Sequence, residues 1–113
     1  GLVGSEMCIR DSANALQQAW QDVVQASQAA WQGDDPTLSL ANAVPYMQAF
    51  GHTVLAWIWL DVALVSTSDE AADLGRRQAC QFFFHYELPK IGAWLKVVKE
   101  RDATCAHMPE DAF

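Results

Sequence analysis

The chain has 113 residues, enough for one domain around a single core. Hydrophobic residues make up 51% of it, a share that is typical of a folded globular domain and too high for a disordered chain. The net charge of −7 disfavours binding to nucleic acid or to an anionic membrane surface, and three cysteines do not form a disulfide framework, which favours a cytoplasmic setting.

The first twelve residues do not fit the rest of the chain. Segment 1–12 reads GLVGSEMCIRDS, and it has neither the basic start nor the apolar stretch of a signal peptide. It resembles a translated sequencing adapter. We therefore predict that residues 1–12 are non-native, that the domain comprises residues 13–113, and that the gene product has a further N-terminal part.

A first helix is predicted from Ala13 to Gln32. Apolar residues recur there at steps of three and four, with glutamines largely on the other side, which indicates a helix with one buried stripe. Gly33 is suited to follow its last turn, because glycine readily adopts the left-handed conformation that ends many helices. The stripe consists of Leu16, Ala19, Trp20, Val23, Val24, Ala30 and Trp31.

A second helix is predicted within Thr37–Val65, and it is apolar on most sides. No charged residue occurs between Pro36 and Leu60, and Pro45 predicts a kink or a late helix start. A helix of this kind is expected to be buried on most sides, so we predict that Trp57→Ala costs about 3–5 kcal/mol. One face carries Met47, Phe50, Val54, Trp57, Ile58 and Val65.

The second helix is long enough to span a membrane, but its composition argues against it. Asn42, Gln48 and His52 dilute the apolar stretch, and no basic flank sets an orientation. We therefore predict no membrane span.

A third helix is predicted from Thr67 to Tyr86, with Thr67 and Glu70 as a capping box. Pro89 disfavours the helical conformation at the preceding residue, which predicts a kink or break before a helix over Lys90–Arg101. The sequence thus predicts an all-α fold, a three-helix antiparallel up-down-up bundle with its third helix kinked or broken near Pro89. The second and third helices carry more apolar surface than such a bundle covers, which indicates an interface.

No residue is assigned a catalytic, cofactor-binding or metal-binding role. Cys80 and His85 are five residues apart, a poor spacing for two ligands on one helix face, and Cys105 and His107 have no evident partner. We expect Cys80 to be a buried thiol and His85 to be hydrogen-bonded to a neighbour.

Four further polar residues are expected to play structural roles. Tyr46 and His52 lie in an apolar helix, where a polar group needs a hydrogen-bond partner. Glu87 and Lys90 flank Pro89 and are expected either to bridge the break or to cap the backbone groups freed there. Phosphate-binding glycine motifs are absent from the sequence, since its six glycines are scattered.

Two stretches closely resemble the extra C-terminal helical domain of bacterial acyl-CoA dehydrogenases, including those similar to methylmercaptopropionyl-CoA dehydrogenase. Residues 41–64 read ANAVPYMQAFGHTVLAWIWLDVAL, and residues 79–113 read ACQFFFHYELPKIGAWLKVVKERDATCAHMPEDAF. The strings VPYMQAFGH, AWIWL and FFFHYELPKI are the most specific parts, and the resemblance extends from about Ala13 to the last residue.

The resemblance implies an FAD enzyme that removes a proton and a hydride from the α and β carbons of an acyl thioester. In the family pattern a glutamate acts as the base, and an electron-transfer flavoprotein carries the electrons onward. The core that holds FAD, substrate and that glutamate lies upstream, so no such role is carried over to Glu70, Glu87 or Glu100. We therefore expect this chain alone to be inactive and to bind no FAD.

Two interpretations of the apolar surplus remain at this stage. In the first, the chain is a packing and assembly domain that contacts the upstream dehydrogenase core and forms a homo-oligomer. In the second, it is a free-standing helical module that binds a partner helix or a small apolar ligand. A small thiol or metal enzyme is a third, weaker interpretation.

Overall fold

The computed structural model describes residues 9–112, and every regular element in that range is helical. The prediction of an all-α fold is confirmed. A π-helix and a 3-10 turn, Phe83–Glu87 and Leu88–Lys90, join the fourth α-helix to the fifth, and another 3-10 turn follows at Glu110–Ala112. The five α-helices, α1 to α5 in chain order, are Ile9–Ala30, Pro36–Leu40, Ala43–Val65, Ala71–Phe82 and Ile91–Lys99.

Helix α1 starts earlier and ends earlier than predicted. Residues 9–12 of the adapter-like segment form its first turn, with Ser12 buried, while the rest of that segment, including Cys8, lies outside the described residues. The non-native origin of residues 1–12 stays a prediction. Gly33 has a φ of +88°, so its predicted left-handed conformation after α1 is confirmed.

The late helix start predicted from Pro45 is confirmed. Asp35 first caps the short α2, where its side chain accepts a hydrogen bond of 2.9 Å from the Thr37 N–H. Helix α3 then begins at Ala43, which puts Pro45 in its first turn. Backbone N–H groups have no helical partner in that turn, so the missing N–H of proline costs nothing there.

The capping box predicted at Thr67 and Glu70 is wrong, because α4 begins only at Ala71. Asp73 binds the preceding loop instead, accepting hydrogen bonds of 3.0 and 2.7 Å from the N–H and hydroxyl of Ser68. Arg77 adds a 2.9 Å hydrogen bond from its guanidinium to the Ser68 carbonyl. These bonds fix a tight α3–α4 connection and delay the start of the helix.

The disruption predicted near Pro89 is a change of helical pitch. The Leu88 N–H donates to the Phe83 carbonyl, five residues earlier, as in a π-helix. This wider turn accommodates Pro89, which has no N–H and whose ring would clash in regular α-helical winding. It also distributes the three consecutive phenylalanines, since Phe83 and Phe84 are buried and Phe82 is exposed.

The core lies where α1, α3 and α5 meet, while α4 packs mainly against α3. The molecule is accordingly elongated, about 58 × 28 × 20 Å. The expected third helix is divided into α4 and α5. The finer prediction of three helices in up-down-up order stays a prediction. The largest buried apolar residues are Val23, Leu60, Phe83, Phe84, Leu88, Ile91, Leu95 and Val98.

Candidate docking surface

The side of α3 that faces the core is lined by small residues. Five positions at steps of three and four are buried there, which is the spacing of one helix face. Four of the five are alanine or threonine, and α1 also presents small residues to the core, including Ala19 and Ala26. Small side chains let two helices approach closely. The buried α3 positions are Ala49, Thr53, Ala56, Leu60 and Ala63.

The opposite side of α3 carries large apolar side chains that are open to solvent. We call it the outer face, and it consists of the partly buried Val54 and the exposed Met47, Phe50, Trp57, Ile58 and Val65. Trp57 is 52% exposed and Val65 is 80% exposed. The prediction that Trp57 is buried is therefore wrong, and the physical reason is that the alanine side of α3 packs inward.

This surface is uncharged over most of its length. Between Thr37 and Leu60 the chain contains no Asp, Glu, Lys or Arg, and Asp61 is the first acidic group on the outer side of α3. A large, contiguous and uncharged apolar patch on a water-exposed helix is typical of a binding interface.

Helix α3 is also long and apolar enough to cross a membrane, judged by length and composition only. This is weak evidence, because the core helix of a water-soluble protein passes the same test. About 28% of the most apolar window of α3 is buried inside the molecule. The absence of a membrane span stays a prediction.

An open groove of about 260 Å³ lies beside the outer face, between the end of α1, α2 and the start of α3. Its walls are mostly apolar, and none of the lining residues is charged. Met47 belongs both to the groove and to the outer face, so the two surfaces are continuous. Trp31 and Leu40 form the exposed rim on the other side.

His52 and Glu87 meet across the junction between α3 and the π-helix. The His52 Nε2 atom lies 3.5 Å from Glu87 Oε1, a separation too long for a good hydrogen bond. The His52 ring also lies edge-on to Trp94, with 4.8 Å between ring centroids. A hydrogen bond from Lys90 is the main factor that lowers the pKa of Glu87.

The predicted Glu87–Lys90 bridge across Pro89 is therefore confirmed, and the sequence did not predict that His52 joins it. No spacing rule links His52 to Glu87, because the extra residue of the π-helix sets the direction of the Glu87 side chain. This cluster joins two helical segments.

Tyr46 has the structural hydrogen bond that was expected. Its hydroxyl donates to Ser27 Oγ at 3.3 Å and links α3 to α1. The Tyr46 ring also contacts Phe50, which packs edge-on against Trp20 with 5.5 Å between ring centroids. These aromatic contacts anchor one edge of the outer face to α1.

The thiol and histidine candidates are not brought together as a site. Cys80 is fully buried, as predicted, whereas His85 is exposed. The expected hydrogen bond from His85 to a neighbour stays a prediction. Among residues 9–112 the structure has no group of three His, Cys, Asp or Glu side chains positioned to hold a metal ion. Burial raises the pKa of the Cys80 thiol to about 11, which leaves it a poor nucleophile at neutral pH.

Cysteine reactivity provides a direct check of this arrangement. At pH 8 we expect iodoacetamide to modify the exposed Cys105 and to leave Cys80 unmodified until the chain is unfolded. Only about one thiol in a thousand would be ionised at a pKa three units above the pH, and burial blocks access as well. Peptide mass spectrometry measures both sites, and equal labelling of the folded chain would contradict the structure.

A family model described as "Acetyl-CoA dehydrogenase C-terminal like" matches residues 5–109, which is most of the chain. No curated protein matches it significantly. No solved structure does so either.

Proposed function

This chain belongs to the acyl-CoA dehydrogenase C-terminal-like family, and from that membership we propose that it is the C-terminal packing and assembly domain of an FAD-dependent acyl-CoA dehydrogenase. The parent enzyme would carry out α,β-dehydrogenation of an acyl-CoA thioester, and it is similar to methylmercaptopropionyl-CoA dehydrogenases. The strings VPYMQAFGH and FFFHYELPKI, in α3 and around the π-helix, support this finer assignment.

The observation that carries the assembly role is the outer face of α3. It exposes large apolar side chains while the core side of the same helix is lined by alanines. Exposing such a surface to water is unfavourable by about 25 cal/mol per Å². A partner surface that covers it would remove that cost, so the outer face is best explained as an interface.

The chemistry of the parent enzyme would reside upstream of this domain. FAD carries an anionic diphosphate that needs backbone N–H or basic donors, and neither the groove nor the outer face includes an Arg or Lys. These two surfaces therefore offer no basic side chain to the diphosphate, and we assign no FAD-binding or catalytic residue to this chain. The proposed partners are the upstream core and a second subunit, in the cytoplasm, without nucleic acid or a membrane span.

A second candidate function is favoured by the groove at the α1–α2 corner. A free-standing helical module would use its apolar walls to hold a small apolar ligand or one side of a partner helix. Its volume of about 260 Å³ is slightly below the range of typical small-molecule sites. Family membership explains more of the chain than the groove does, so the assembly role is our first proposal.

Expression of this chain with and without its upstream coding sequence tests the proposal. We expect the extended protein to purify with a flavin absorbance spectrum and to reduce an artificial electron acceptor when methylmercaptopropionyl-CoA is added. The present chain should show neither property. A start codon near Ala13 with no dehydrogenase core upstream would refute the proposal in favour of the free-standing module.

A further inference from the structure

We draw no further inference here: the strongest candidate, the outer face of α3 with the groove that continues it at the α1–α2 corner, is an unpartnered apolar surface, and nothing in the structure shows what covers it.

Discussion

Leu95→Ala is expected to be among the most destabilising single changes in the described part of this chain. Leu95 is 2% exposed and lies on α5, the helix that packs against both α1 and α3. Truncation removes buried apolar contacts and leaves a cavity, which typically lowers the free energy of unfolding by about 2–5 kcal/mol. Most small domains have only ~5–15 kcal/mol in total, so thermal or denaturant unfolding should show the loss clearly.

Trp57→Ala is the informative comparison. Residue size alone would suggest that truncating Trp57 costs more unfolding free energy than truncating Leu95, and the structure indicates the opposite. Trp57 is much larger, but half of it is open to water in the single chain. Measured at concentrations below self-association, its truncation should cost less than Leu95→Ala. If Trp57→Ala were equally costly and independent of protein concentration, the outer face would be covered within one chain, contrary to the structure.

The sequence predicted best those elements whose orientation follows from local periodicity. The apolar face of α5, with Ile91, Leu95 and Val98, is buried as expected, and Trp94 lies partly buried beside it. In α1 most of the predicted stripe also faces the core. A one-sided apolar pattern identifies the buried side of a helix without knowledge of its neighbours.

The inward-facing side of α3 could not be predicted from local periodicity. The helix is apolar around most of its circumference, so periodicity does not distinguish its inner side from its outer side. A helix of this kind was expected to be buried on most sides, Trp57 included. The choice depends on the neighbouring helix instead, since α1 presents small residues such as Ala19 and Ala26 to the core and close approach favours the alanine side of α3.

The His52–Glu87 contact was also beyond sequence reasoning, for a different reason. Pro89 signalled a disruption, but either a break or a wider turn would accommodate it. The π-helix that forms adds one residue to the turn and rotates the residues that follow by about 100°. The direction of the Glu87 side chain relative to His52 therefore depends on a feature that no local pattern specifies.

Ala56→Leu tests the orientation of α3 most directly, and we expect it to destabilise the chain by about 1–3 kcal/mol. Ala56 is fully buried, so the added side chain must displace closely packed neighbours. Helix propensity contributes little, because leucine and alanine are both strong helix formers. Urea unfolding monitored by circular dichroism measures the change.

Leu55→Ala is its matched control at the adjacent residue. Leu55 is partly open to solvent, so its truncation should change the unfolding free energy by less than about 1 kcal/mol. The chain would then lose stability when the buried Ala56 is enlarged to leucine, and it would lose little when the partly exposed Leu55 is truncated to alanine. The opposite ranking would mean that the large residues of α3 face the core, and the outer face would no longer be available to a second copy.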